Sequence, residues 1–88
     1  MEQAMMVSAT VAVYPLRQPD YRAIEDAIEV LTHSGLSADV QPMHTELTGE
    51  LDALFEALRQ AFLAAARHGV VVMTLTLTNA CTPTPRQE

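Results

Sequence analysis

The order in which the hydrophobic period changes is the feature that most constrains this chain. Polar and apolar residues alternate in four segments: 5–14, 36–41, 45–48 and 70–78. Apolar residues recur at helical spacing in two segments: 19–34 and 50–68. A period of two predicts a strand, and a period of 3.6 predicts a helix. The chain is therefore predicted to run strand, helix, strand, strand, helix, strand.

Proline and glycine residues define the predicted ends of these elements. Pro19 suits the first turn of the first helix, and Asp20 is favourable near its positive end. Gly35 and Gly69 are predicted to cap the two helices, because glycine adopts the left-handed backbone at helix ends without steric cost. Gly49 is predicted to break the third strand just before the second helix.

This order of elements predicts a ferredoxin-like α+β fold, the βαββαβ arrangement in which two helices cover one face of a four-stranded antiparallel sheet. The first and third strands should be central. The helices are expected to cover the face that carries Val7, Val11, Val13, Leu75 and Leu77. The other face should carry Ser8, Thr10, Tyr14, Thr74 and Thr76. That open face is either solvated, packed against another subunit, or part of a binding pocket.

Length and composition limit the classes of protein that this chain can belong to. Its 88 residues predict a single domain over 1–80 with a flexible C-terminal tail over 81–88. Cys81 is the single cysteine, which excludes an intrachain disulfide and suits a reducing cytoplasm. The net charge of -6, with scattered arginines, argues against nucleic acid as a partner. We expect no signal peptide, no membrane span, and a homo-oligomer, since small domains often gain stability by association.

The sequence offers polar groups for binding and little for catalysis. His33, His44 and His68 are not spaced as metal ligands on one helix face, and no glycine-rich phosphate loop is present. We therefore expect no catalytic residue, no metal and no cofactor. A tyrosine ring can stack on a heteroaromatic ligand, and amide and hydroxyl groups both donate and accept hydrogen bonds. The candidate ligand-binding residues are Thr10, Tyr14, Gln41, Met43 and Thr45.

Three stretches resemble one family of small proteins. They are Val11-Ala12-Val13-Tyr14-Pro15-Leu16, Thr32-His33-Ser34-Gly35-Leu36, and the ten residues from Pro42 to Leu51, which include Pro-Met-His-Thr. In this order and spacing they resemble the thiamine-binding, YkoF-like family. The resemblance implies the same fold, non-catalytic binding of thiamine or its hydroxymethylpyrimidine part, and assembly as a dimer or a dimer of dimers. It places binding positions at Tyr14, Pro42, Met43 and Thr45.

Two other functions remain open from the sequence: a structural homo-oligomerisation module, and a small-molecule sensor of the ACT type, which shares the topology. The sequence also leaves undecided which side of the third strand faces the helices. Thr45 and Glu46 must point to opposite faces, because strand side chains alternate. The resemblance favours Thr45 on the open, ligand-binding face with Thr10 and Tyr14.

Overall fold

The computed structural model describes residues 5–80, and its six elements follow the predicted order. The strands are β1 (Met6–Pro15), β2 (Ser37–Val40), β3 (Thr45–Glu50) and β4 (Val71–Thr78). The helices are α1 (Arg22–Thr32) and α2 (Leu51–Ala66). The predicted tail, 81–88, lies outside the described residues.

The four strands form one antiparallel sheet in the order β2-β3-β1-β4, with β1 and β3 in the centre. Val11 of β1 lies opposite Thr45 of β3 and Leu75 of β4, so these three residues share a face. Thr10 lies opposite Glu46 and Thr76 on the other face. The ferredoxin-like prediction, including the two central strands, is confirmed.

Both helices pack on the face that carries the odd-numbered residues of β1. The largest fully buried side chains are Leu31, Leu47, Leu54, Val7 and Val11. Burying a leucine or valine of this kind contributes about 1.5–3 kcal/mol relative to leaving it in water. Small residues of both helices complete the core and let the helices approach the sheet closely: Ala23, Ala27, Ala57, Ala61 and Ala65.

Gly49 does not break β3, as the sequence had suggested. It pairs with Val7 inside the strand and is buried. The side chain of Leu36 packs into the space that a β-carbon at this position would occupy. The glycine is therefore required by a close approach from the segment before β2 and not by a turn.

The helix starts are set by carboxylates that accept backbone hydrogen bonds. In α2, the Glu50 carboxylate accepts from the N–H groups of Asp52 and Ala53 at 3.1 and 3.2 Å. Helix α1 begins at Arg22 and not at Pro19, and Asp20, two residues before the helix, accepts from the Arg22 N–H at 3.1 Å. That hydrogen bond is the main cause that lowers the pKa of Asp20 below its usual range.

The prediction that the helices cover Leu75 and Leu77 is only half right. Both residues are on the helix side of the sheet, yet they are 38% and 39% exposed. The reason is that β4 is an edge strand, and α2 is the helix that packs against it. Within residues 5–80, no helix is long and apolar enough to cross a lipid bilayer.

Candidate functional site

A cavity of about 200 Å³ lies at one end of the sheet, between α1, the end of β1 and the turn that joins β2 to β3. Its position follows from the strand register. Strand β3 begins at Thr45, opposite Val11, so the last four residues of β1 have no neighbour on the β3 side. Helix α1 covers this notch with Ile24, Ala27, Ile28 and Leu31. The walls are mostly apolar, as in most small-molecule sites.

The turn over residues 41–44 closes the remaining side of the cavity. Its backbone is held by the N–H of Gln41, which donates to the carbonyl oxygen of His44 at 2.7 Å. Pro42 restricts the backbone of the turn. Met43, which is 77% exposed, stands at the mouth with a flexible apolar side chain.

Thr45 is the single polar residue that is buried in the described part of the chain, at 4% exposure. It lies opposite Val11 on the helix side of the sheet and lines the cavity. No side-chain hydrogen bond joins its hydroxyl to another residue in 5–80, and no fully buried polar atom there lacks a partner. The hydroxyl therefore retains contact with the cavity, where it can donate one hydrogen bond and accept others.

Two polar pairs stand at the mouth of the cavity. The side-chain amide N–H of Gln41 donates to the Asp39 carboxylate at 2.9 Å, which leaves the amide oxygen available as an acceptor. Nε2 of His44 donates to the Glu46 carboxylate at 3.1 Å. Glu46 itself points to the open face, so the His44 side chain links the cavity to the other side of the sheet.

Four of the five residues that the sequence proposed as ligand-binding line this cavity: Tyr14, Gln41, Met43 and Thr45. Thr10 does not. It lies on the open face beside a shallow depression that is lined by hydroxyl groups, among them those of Thr76 and Thr78. The prediction that Thr45 shares the open face with Thr10 is wrong, because the register places Thr45 opposite Val11 and Glu46 opposite Thr10.

Ile24, Ile28 and His44 are among the cavity residues that sequence reasoning missed. Ile24 and Ile28 lie on the apolar side of α1, and both are only half-buried because they cover the notch. His44 was considered as a metal ligand and set aside. Its position two residues before Glu46 is the local signal for the pair that they form.

The other two histidines lie away from the cavity and have local partners. Nδ1 of His33 donates to the backbone oxygen of Glu29 at 2.9 Å, and Nε2 of His68 donates to Asp26 at 2.6 Å. The second pair joins the end of α2 to α1. Across residues 5–80, no group of three or more side chains is arranged to hold a metal ion.

Comparison with known proteins gives the family. The model of the thiamine-binding protein family matches residues 9–79. Solved structures are similar as well, and for three of them the coverage of this chain is followed by the coverage of the other protein. A domain of unknown function from Bacillus cereus is 28% identical, with 85% and 76% coverage and a TM-score of 0.77. A protein from Streptococcus pneumoniae is 27% identical, with 84% and 86% coverage and a TM-score of 0.79.

The third structure is of a protein from Thermotoga maritima that is described as a candidate in thiamine biosynthesis or salvage. It is 20% identical, with 82% and 81% coverage and a TM-score of 0.73, and at this identity it shows the shared fold. No curated protein matches the chain. The family model spans most of β1, all of β3, both helices and the whole cavity, and it supports a thiamine-related binding role. The chain therefore belongs to the thiamine-binding protein family.

Proposed function

We propose that the cavity binds thiamine, or its hydroxymethylpyrimidine part, without chemical change. The protein would act as a carrier, a buffer or an accessory of salvage in the cytoplasm. The observation that supports this proposal is Thr45, which is 4% exposed, lines an apolar cavity and makes no side-chain hydrogen bond within the described residues. Because no fully buried polar atom there lacks a partner, its hydroxyl is accessible from the cavity, where a ligand or water can bond it.

The size of the cavity favours one ring over two. A cavity of about 150 Å³ in an engineered protein holds a benzene molecule. The cavity here, at about 200 Å³, therefore fits one substituted six-membered ring. A bound thiamine would place its pyrimidine inside and its thiazolium at the mouth, beside Met43 and Tyr14. The net charge of -6 favours the approach of that cation.

The polar groups suit an aminopyrimidine. Such a ring offers an exocyclic amine that donates and ring nitrogens that accept. The Thr45 hydroxyl can donate to a ring nitrogen, and the free amide oxygen of Gln41 can accept from the amine. Apolar contacts from Ile24 and Ile28 would hold the ring plane. A few polar groups in an apolar site are the usual source of specificity for small ligands.

Binding without catalysis is part of the same proposal. The family is a binding family, and His44, the one histidine that lines the cavity, is paired with Glu46 and not with a nucleophile. The protein is also proposed to form a homo-oligomer, a dimer or a dimer of dimers, as the family resemblance implies.

Calorimetric titration with separate fragments tests the proposal. Thiamine and the hydroxymethylpyrimidine alone should both bind, and the thiazole alone should not. Bound ligand should raise the melting temperature, with a stabilisation of about 2.7 kcal/mol at a ligand concentration of 100 Kd. No heat and no thermal shift at millimolar thiamine would refute the proposal and would favour an oligomerisation module without a ligand.

A further inference from the structure

His44 connects the two faces of the sheet at the mouth of the cavity. It lines the cavity on the helix side, and its side chain is 31% exposed. Its Nε2 donates to the Glu46 carboxylate at 3.1 Å, and Glu46 lines the depression on the open face. A hydrogen bond at one ring nitrogen fixes the tautomer, so the neutral ring keeps Nδ1 as an acceptor. A proton taken up at Nδ1 therefore turns the ring into a cation that is already paired with Glu46.

A second carboxylate stands beside that of Glu46. Asp39 lies opposite Glu46 in the β2–β3 register, so the two side chains share the open face. Cross-strand neighbours have β-carbons about 4.5–5.5 Å apart, and like charges at that distance repel each other. Each carboxylate has a polar partner from the turn, the Gln41 amide for Asp39 and the His44 ring for Glu46. Two negative charges therefore lie behind the mouth of the cavity, and His44 is the partner that can offset one of them.

The other walls of the cavity, as far as the described residues form them, bring no further charge to this place. The lining residues of α1 are all apolar: Ile24, Ala27, Ile28 and Leu31. Those of β1 are Val11, Ala12, Val13 and Tyr14, of which only the tyrosine can titrate. Histidine ordinarily changes charge between pH 5 and 8, whereas carboxylates and tyrosine ordinarily titrate outside that range. Among the described residues, His44 is therefore the lining group whose charge responds to pH near neutrality.

We propose that His44 makes the cavity select its ligand by charge: a neutral imidazole favours a ligand with a cation at the mouth, and an imidazolium removes that preference. The inference deepens the proposed function and rests on it, because the thiazolium of thiamine is the cation that would lie beside Met43 and Tyr14. With a neutral ring, the negative charges of Asp39 and Glu46 attract that cation. A protonated ring offsets one of these charges and repels the cation directly.

Ligand binding and protonation are linked in this arrangement. If an imidazolium weakens thiamine binding, bound thiamine must weaken protonation of His44 by the same factor. Two unit charges about 8 Å apart, at an effective dielectric constant of about 20 to 80, change an affinity by about 3- to 30-fold. The preference for a cationic ligand should therefore fall by this factor as the ring becomes protonated, and thiamine should displace protons when it binds.

Two ligands of the same shape and different charge test the proposal. The first is thiamine, and the second is an analogue in which carbon replaces the thiazolium nitrogen, so that this ring is neutral. Both carry the same pyrimidine, so protonation of that ring affects the two alike. In calorimetric titrations from about pH 8 to about pH 5.5 at constant ionic strength, the preference of the wild type for thiamine should fall by about 3- to 30-fold. Equal pH profiles for the two ligands overturn the proposal.

Substitution of two histidines assigns the effect to one side chain. His44→Gln keeps a polar side chain that takes up no proton, so its preference for thiamine should be the same at both ends of the pH range. His33→Gln is the matched control, because His33 lies outside the cavity and its Nδ1 contacts the backbone oxygen of Glu29. This control should keep the pH dependence of the wild type. A pH dependence that persists in His44→Gln, or one that is lost in His33→Gln, overturns the proposal.

Proton release measures the linkage in the wild type and does not rely on a variant that folds. Titrations near pH 6.5 in two buffers with different heats of ionisation give the number of protons released. For a histidine that is half-protonated in the free protein, a 3- to 30-fold effect corresponds to about 0.25–0.5 proton more for thiamine than for the neutral analogue. Equal proton release by the two ligands overturns the proposal.

The outcomes separate this inference from the proposed function. Binding of both ligands with the same pH profile and the same proton release would leave the proposed function intact and overturn the role of His44. Absence of binding by thiamine and by the analogue at every pH would refute the proposed function, and this inference with it.

Discussion

Replacing Thr45 by valine separates a binding role from a structural role. The substitution removes the hydroxyl and keeps both the β-branch and the shape, so the strand and its contacts with Val11 and Val40 should persist. Since the hydroxyl has no hydrogen bond to the described residues, no protein interaction is lost. We expect the free energy of unfolding to stay the same or to rise by up to about 1 kcal/mol.

The effect of Thr45→Val on ligand binding should be much larger. A ring nitrogen in the cavity would lose its partner and remain unpaired away from water, which costs about 1–3 kcal/mol. At 1.4 kcal/mol for each factor of ten, the affinity for thiamine should fall by about 5- to 140-fold. The hydroxymethylpyrimidine alone should lose affinity by the same factor, because the contact belongs to that ring.

Calorimetry for affinity and urea unfolding for stability measure the two effects on the same samples. Thr45→Ser retains the hydroxyl and removes one methyl group, so it should lose less affinity than valine. Thr10→Val makes the same chemical change on the open face, outside the cavity, and should leave the affinity unchanged. Wild-type affinity in Thr45→Val, or a larger loss in Thr10→Val, would refute the assignment of the hydroxyl.

Four further predictions concern the rim, the core and the helix starts. Tyr14→Ala should weaken thiamine binding more than it lowers stability, since the ring is 46% exposed at the cavity; calorimetry and urea unfolding compare the two. Leu47→Ala should lower the free energy of unfolding by about 2–5 kcal/mol, because Leu47 is fully buried. Glu50→Ala should lower it by about 0.5–2 kcal/mol through loss of the α2 cap. The lowered pKa of Asp20 stabilises the fold above the unfolded value of 3.8, and this contribution is lost as the pH falls through the folded value; urea unfolding of Asp20→Asn should show a weaker acid dependence.

Each of these predictions has a contradicting outcome. Equal losses of binding and stability in Tyr14→Ala would make the ring structural. A change below about 1 kcal/mol in Leu47→Ala would mean that the site collapses around the smaller side chain. Wild-type stability in Glu50→Ala would show that water replaces the cap. If the free energy of unfolding of Asp20→Asn fell at low pH as it does in the wild type, the acid sensitivity would belong to other carboxylates.

The element order could be predicted from the sequence because each segment keeps its period over several residues. Local patterns could not show long-range packing. Gly49 looks like a strand breaker to a local rule, and the reason for the glycine is Leu36, thirteen positions earlier in the chain. Helix α1 starts later than Pro19 suggests, and the Asp20 carboxylate accepts from the N–H of its first residue, Arg22. Neither of these contacts can be predicted from the spacing of hydrophobic residues.

The candidate site was predictable in its residues and not in its geometry. Alternation states that Thr45 and Glu46 occupy opposite faces, but it does not state which face the cavity is on. The β1–β3 register decides this by placing Thr45 opposite Val11. The same register leaves the end of β1 without a neighbour on the β3 side, and the notch that results lies below Ile24 and Ile28. Isoleucines at helical spacing indicate core positions, and the sequence alone does not show that no strand lies beneath these two.

The short, charged β2 edge has a consequence for how far an assembly of this chain can grow. Adding a strand at one end of a sheet normally exposes a new end, and an arrangement that keeps exposing one extends into a fibre. Within residues 5–80, the two edges of the sheet are β2 and β4. The β2 edge is four residues long, carries Asp39 and is followed at once by the Pro42 turn, so it offers little to a further strand. Growth of the sheet by strand addition is therefore blocked at the β2 end.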